Sequence, residues 1–390
     1  MRGWNRARIS ARSFSGSPEL GAVPLAILAL AALSLGMSAL AIRRDRPLCW
    51  RFAPPAPPPA TGTGRFRTVL DHRPETGQAH APAIVPHKDG FAVLWFQGSA
   101  EAQPDVDIWG AVLRRQGEAW HASGPAPHLT RPALGRAMEP RQLVVTLGNV
   151  IAHAGRPGHL LATVVSVGGW AMAAIADVAM GRDGPVRARK LDLSPILNRS
   201  FLVKSPMLAY EDGSHALPAY FEMGPTFGAL VRLDAAGRVR DRRWMRSGQA
   251  KVIQPMIVPL DARRALAFLR DFDRSGSLWL SRSEDGGQSW SAPERTGRPN
   301  PSAPVAALAL GCGRILMAAN DDAAAPDALV LSVSEDDGAH WRDIHRIAGP
   351  GALRYPMLGR AGDEIVLVHS TGGKRGIAAH VFDAAWIAAR

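Results

Sequence analysis

From about residue 66 onward, apolar residues come in short runs of strand length. They read "FAVLWF" (91–96), "LLATVVSV" (160–167), "ALAFL" (265–269), "RILMAA" (314–319) and "EIVLVH" (364–369). Gly, Asp or Asn punctuates them, as in "HKDG", "AYEDG" and "LDAAGR". No amphipathic helical stretch of ordinary length competes in this region. Many short strands separated by turn signals predict an all-β sandwich, barrel or propeller.

The N-terminus follows a different pattern. "LGAVPLAILALAALSLGMSALAI" (20–42) contains no charged residue and has arginines on both sides. About 20 apolar residues in a helix cross a bilayer core, and Pro24 falls in the first turn, where proline is tolerated. Ala39-Leu40-Ala41 also fits the small-residue site of a cleaved signal peptide. The apolar run is longer than the usual signal core, however, and a basic cluster follows at once, which favours a retained transmembrane anchor. The predicted organisation is a cytoplasmic tail (1–19), an anchor (20–42), a proline-rich linker (43–66) and a β-rich domain (67–390). "APPAPPPATGTG" (53–64) predicts a stiff, then flexible, spacer within that linker.

Charge narrows the function classes. Of the net +12, residues 1–66 supply seven, from nine arginines against Glu19 and Asp45. The remainder has no run of five or six like charges, so the basicity belongs to the membrane flank and a nucleic-acid function is not expected. The two cysteines, Cys49 and Cys312, form neither a metal-type cluster nor a disulfide framework.

A repeat selects among the β architectures. "SRSEDGGQSW" (281–290) and "LSVSEDDGAHW" (331–341) share Ser-x-Asp-x-Gly-x-x-Trp. The matched residues are Ser283, Asp285, Gly287 and Trp290, then Ser334, Asp336, Gly338 and Trp341, 51 positions apart. "LRRQGEAW" (113–120) is a worn third copy that keeps Gly117 and Trp120. A period near 50 residues predicts four-stranded propeller blades, about six of them in the available length.

The repeated octapeptide resembles the Asp-box of the sialidase, or neuraminidase, superfamily, and the chain is similar to bacterial sialidase-like proteins with BNR repeats. The resemblance runs through "HAPAIV" (80–85), "LWFQGSAEAQPDVDIWGA" (94–111), "GGW" (168–170), "LPAYFE" (217–222), "IQPMIVPL" (253–260), "PNPSAPVAAL" (299–308) and "YPML" (355–358). It implies a six-bladed β-propeller behind the N-terminal helix, with the boxes as structural turns away from the active face. A short Asp side chain accepts backbone N–H bonds in such a turn, and Gly permits positive φ.

The family's chemistry uses three arginines on the sugar carboxylate, an Asp acid/base, and a Tyr nucleophile paired with a Glu. Carried over by position, the first arginine becomes His80 and the acid/base becomes Asp105. The paired Glu becomes Gln254, the second arginine is Arg270, and the nucleophile is Tyr355. The third arginine has no counterpart near "APDALVL" (325–331). Gln254 cannot take a proton from a phenol, so Glu222 or Asp107 would have to serve. Trp95, Trp109 and Trp170 are candidate platforms for sugar rings. The resemblance implies no cofactor and no metal, and a glycan or polysaccharide partner. The uncharged N-terminal run, acting as a signal anchor, predicts a single-pass protein of a bacterial inner membrane with the propeller on the periplasmic side. Two function classes follow: a membrane-anchored sialidase-like glycoside hydrolase acting on an envelope or extracellular glycan, and a non-catalytic propeller that binds carbohydrate or protein.

Overall fold

The computed structural model describes residues 22–44, 47–59, 62–194, 198–248 and 250–390. They fall into two compact units, Met1–Leu48 and Cys49–Arg390.

In the first unit one helix spans Ala22–Arg44. Its apolar stretch, Val23–Ile42, has a mean hydropathy of 2.4 and is exposed throughout. It is long and apolar enough to cross a membrane, and a signal sequence has the same character. The tail at 1–19 and the first two anchor positions lie outside the described residues.

The second unit is a six-bladed propeller. Each blade is one antiparallel sheet whose main path has four strands. The first strand of the unit, Arg67–His72, does not start blade 1. It pairs with Gly376–Phe382 as the outer strand of blade 6. The beginning and end of the domain therefore share one sheet, which closes the ring and leaves no open seam.

The five apolar runs are all second strands of their blades: Gly90–Gly98, His159–Val165, Ala265–Asp271, Arg314–Ala319 and Glu364–Thr371. A strand in that position is covered on both faces by neighbouring blades, so it reads as continuous rather than alternating hydrophobicity. Inner strands follow the same rule, and Val252–Pro259 is buried at every position. The outer strand Glu294–Pro299 meets water and is largely exposed.

Both octapeptides form the turn between the third and fourth strands, in blades 4 and 5. The Ser283 hydroxyl accepts the Gly287 N–H at 2.8 Å, and the Ser334 hydroxyl accepts that of Gly338 at 2.9 Å. Asp285 accepts the N–H of Ser289 at 2.9 Å, and Asp336 accepts that of His340 at 2.8 Å. The worn copy occupies the same turn in blade 1.

Each motif also reaches the preceding blade. A Cβ on Gly338 would lie 2.9 Å from Leu266 of blade 4, and one on Gly287 would lie 2.6 Å from Leu230 of blade 3. Trp341 meets Phe268 of blade 4 edge-on. Trp120 donates its ring N–H to Glu364 of blade 6 at 2.8 Å. The repeat is thus a latch between blades. Trp341→Ala is expected to cost about 2–3 kcal/mol of stability through lost packing, read by urea unfolding.

The proline-rich segment departs from expectation. Residues 49–59 are packed on the propeller and do not form a free spacer. Phe52 is completely buried, and its N–H bonds the Ala262 carbonyl at 2.8 Å. The buried Arg232 lies between the rings of Tyr210 and Trp50, 3.3 and 4.7 Å from their centroids, and donates to the Cys49 carbonyl at 2.8 Å. Further along, Arg360 bonds the Ala56 carbonyl at 2.6 Å. Polyproline backbone exposes its carbonyls, and aromatic neighbours anchor it.

Gly286 (φ 78°) passes beneath this strap, where a Cβ would lie 1.8 Å from the Trp50 carbonyl oxygen. Gly286→Ala should therefore lift residues 49–53, seen as faster proteolysis there.

Candidate functional site

The site is built from irregularities in inner strands. Blades 1, 4 and 6 carry Ala81-Pro82, Gln254-Pro255 and Tyr355-Pro356 near the start of the strand. Ala81, Gln254 and Tyr355 have φ of 53°, 52° and 55°. Proline disfavours helical backbone before it, and a side chain at positive φ is strained, so these residues are held there by their surroundings. At each one the pairing register shifts, between His80 and Ala83, Ile253 and Met256, and Arg354 and Met357. Such bulges re-aim side chains. Here both Ile253 and Gln254, and both Arg354 and Tyr355, line a single cavity of about 560 Å³.

Four cations and two carboxylates line that cavity: Arg270, Arg274, Arg354 and Lys374 against Glu101 and Glu222. Lys374 pairs with Glu101. Among the described residues no carboxylate pairs with any of the three arginines. Trp170 and Phe272 bring aromatic surface to the same lining.

A polar network organises the floor. The Gln254 amide donates to Tyr220 Oη at 3.2 Å and to Tyr355 Oη at 3.4 Å. Arg270 Nη1 donates to Gln254 Oε1 at 3.1 Å and to Tyr355 Oη at 3.3 Å, and its Nε reaches Ser302 Oγ at 3.3 Å. Arg354 Nη1 bonds the Ser302 carbonyl at 3.2 Å. The phenol oxygen of Tyr355 is therefore met by two donors. Among the described residues no carboxylate hydrogen-bonds to it.

Glu222 lines the cavity half-buried, and among the described residues its carboxylate makes no hydrogen bond. Burial pushes its pKa up. Arg270 works against this, and Glu101 adds to it. Tyr220 is pushed far above its ordinary range by burial, then by Glu222 and Tyr355.

The site residues expected from sequence divide accordingly. Arg270, Gln254, Tyr355, Glu222 and Trp170 share the cavity. His80 does not line it. It lies behind, buried, with its ring edge-on to Tyr355 at 4.4 Å and neither ring nitrogen bonded. Burial, then the charges of Lys374, Arg354 and Arg270, hold its pKa well below 6.5. A neutral imidazole in that position cannot stand in for an arginine on a carboxylate.

Asp105 is exposed and is not part of the lining. It holds its own loop by accepting the Ser99 N–H at 2.9 Å and the Ser99 hydroxyl at 3.0 Å. Burial pushes its carboxyl up, but those bonds outweigh it and bring the pKa below the usual value. That is the wrong direction for a general acid. Asp107 is occupied by Arg131, which donates from its backbone at 2.8 Å and from its side chain at 2.9 Å.

Trp95 is completely buried, with its ring N–H on Gln97, and Trp109 lies opposite it across the strands, packed on the core. Neither offers a face to a sugar in the cavity. Both sides of a blade are covered, so strand alternation carries no signal for which tryptophan is free.

Four charged lining residues had not been expected, among them Arg274, four positions after Arg270. Glu101 sits on the same loop as Asp105, four residues earlier. Arg354 immediately precedes Tyr355. Lys374 lies in the blade 6 hairpin "TGGKRG" and has no motif to mark it. Among the described residues, no group of three His, Cys, Asp or Glu side chains could hold a metal ion.

Comparison with known proteins adds the family context. Residues 89–369 match the model of the BNR repeat-like domain. No curated protein matches the chain by sequence. Among solved structures, a protein of unknown function from Dyadobacter fermentans superposes with a TM-score of 0.62 at 14% identity, covering 81% of this chain and 98% of its own. A Hadza microbial sialidase gives 0.60 at 11%, covering 78% and 66%. A Trypanosoma rangeli sialidase in complex with the inhibitor DANA gives 0.57 at 11%, covering 81% and 59%. The chain thus spans less than two thirds of either sialidase. At these identities the likeness is one of fold.

Proposed function

Because the chain belongs to the BNR repeat-like domain family, we propose that its axial cavity binds the acidic end of a glycan. The observation that carries this reading is the set of three guanidiniums, Arg270, Arg274 and Arg354, facing one cavity without a carboxylate partner among the described residues. Arg270 and Arg354 are half-buried, and a partly buried cation is costly unless it is paired, while Arg274 is exposed. A ligand carboxylate supplies the missing partner, and guanidinium geometry suits it. Trp170 and Phe272 offer apolar surface to a sugar ring. The solved sialidases of similar fold are consistent with a glycan ligand.

Binding without tyrosine-based hydrolysis is the form of this reading best supported. A phenol nucleophile needs an acceptor for its proton within about 2.6–3.2 Å, and Gln254 and Arg270 are donors. A second reading rests on a different observation, that Glu101 and Glu222 line the same cavity. Paired carboxylates are the usual equipment of glycoside hydrolysis. Isothermal titration with N-acetylneuraminic and glucuronic acids, run beside a product assay on their glycosides, tests both. Binding without product supports the first reading. Product formation abolished by Glu222→Gln, with binding retained, supports the second. Absence of any binding removes both.

The N-terminal helix completes the proposal as a retained single-pass anchor in a bacterial inner membrane, with the propeller on the periplasmic side. A C-terminal alkaline phosphatase fusion should be active. An inactive phosphatase fusion with an active cytoplasmic reporter would reverse the orientation.

A further inference from the structure

We infer that the cavity is the inner half of a longer site, and that an apolar lip on blade 2 holds an apolar aglycone attached to the acidic sugar. This rests on the acidic-glycan reading of the cavity and extends it to the ligand's other end. The propeller exposes four large aliphatic or aromatic side chains among the described residues: Leu143 (69%), Val167 (73%), Val186 (69%) and Phe272 (42%). Three of these four lie on the cavity side, where chance would scatter them over the surface. Exposed apolar groups gathered at a pocket mouth mark a binding surface.

The lip is continuous with the cavity. Leu143 precedes the blade 2 inner strand Thr146–Ala152, which carries the lining residues Gly148 and Asn149. Val167 follows the second strand His159–Val165 and leads through Gly168 and Gly169 to Trp170 in the lining. The two segments are tied together. Val145 N–H bonds the Val165 carbonyl at 2.8 Å, and the Ser166 hydroxyl donates to Gln142 Oε1 at 3.3 Å. Gly168 and Gly169 take φ of 80° and 65°, and the turn sets the Trp170 ring 3.0 Å from where a Gly148 Cβ would be. Leu143 and Val167 therefore stand exposed on two hydrogen-bonded segments that run on into the lining residues Gly148, Asn149 and Trp170, and we take this stretch as the ridge.

Its chemistry differs from that of the cavity. Residues 142–149, "QLVVTLGN", and 165–173, "VSVGGWAMA", contain no ionisable side chain. Their polar side chains nearest the ridge, Gln142 and Ser166, bond each other. A second sugar would find few partners there for its hydroxyls. An acyl, aryl or alkyl group would lose water and leave no polar group unsatisfied. The complementary ligand is amphipathic, with its acid at the arginines and its apolar substituent on the ridge.

The test uses the full chain in nanodiscs and two pairs of ligands, the methyl and phenyl thioglycosides of N-acetylneuraminic acid and of glucuronic acid. The thio linkage resists hydrolysis, so affinity alone is read. The phenyl compound of the acid that binds should be held at least 10-fold more tightly than its methyl partner. Leu143→Ser/Val167→Ser should cut that ratio to about 2-fold or less and leave the methyl affinity unchanged. Both residues are exposed, so the substitutions spare the core. An undiminished ratio in the variant overturns the inference and leaves the cavity reading standing. A gain of equal size from a polar disaccharide overturns it in favour of a second sugar. Failure of all four compounds to bind overturns the cavity reading and this inference together.

Discussion

Arg270→Met is expected to weaken binding of an acidic sugar by about 30-fold to several thousand-fold, the range for removing one partner of a desolvated charge pair, about 2–5 kcal/mol. Arg270 joins the floor of the cavity through Gln254, Tyr355 and Ser302. Its removal takes away both a charge and the group that orients those neighbours. Lysine keeps the charge but lacks the fork that meets two oxygens at once, so Arg270→Lys should recover only part of the loss.

The same site should respond to pH through Glu222, whose pKa is raised by burial and by Glu101 against the pull of Arg270. Above that raised value the ionised carboxylate repels an anionic ligand. As pH falls through it the repulsion ends, so affinity should increase as the pH is lowered from neutral. Glu222→Gln should flatten this trend. Titration calorimetry at several pH values measures all three variants. An Arg270→Met protein that binds normally would remove the cavity from consideration as an acid-binding site.

Lys204→Met should raise stability at neutral pH by about 1–4 kcal/mol, against the usual direction for a core substitution. Lys204 follows the blade 3 inner strand, is buried, and donates to the Pro356 carbonyl behind Tyr355. Burial alone brings its pKa down from 10.5 to about 7, with no carboxylate contributing. A shift of that size corresponds to about 4–5 kcal/mol at full effect, from which loss of the bond to Pro356 takes back about 1–3 kcal/mol.

The sign follows from proton counts. Below about pH 7 the side chain is charged in both folded and unfolded chains, and the native state bears the whole cost. Between about 7 and 10 the unfolded chain holds a proton that the native state has released. Stability of the natural protein therefore rises across that window. The Lys204→Met protein should lack this rise, as read by urea unfolding at pH 6, 7, 8 and 9. A variant less stable than the natural protein at every pH would mean that the Pro356 contact outweighs the buried charge.

Several features were legible in the chain itself because they are local. Apolar runs of strand length exist because each is the doubly covered second strand of a blade. The octapeptide repeats because the blade repeats, and its Ser, Asp and Gly are required by bonds made within eight residues. The motif positions of Arg270, Gln254, Tyr355 and Glu222 fall on residues that line one cavity, since each sits at a strand end or bulge whose place the blade pattern sets.

What only the tertiary structure decided was which neighbours of those residues face the cavity. In a regular strand adjacent side chains point to opposite faces, so Arg354 beside Tyr355 should have been turned away. The left-handed backbone at Tyr355 breaks that alternation and brings both inward. The same alternation gives no means of telling that Trp95 and Trp109 are packed, because both faces of a blade are covered. In the loop before blade 1's third strand, the family resemblance pointed to Asp105 and nothing in the sequence marked Glu101. The fold uses Asp105 to bond Ser99 and sends Glu101 to the cavity, where Lys374, 273 positions along the chain, meets it. A loop carboxylate takes its role from its nearest donor, and that donor is set by how blades 1 and 6 close the ring.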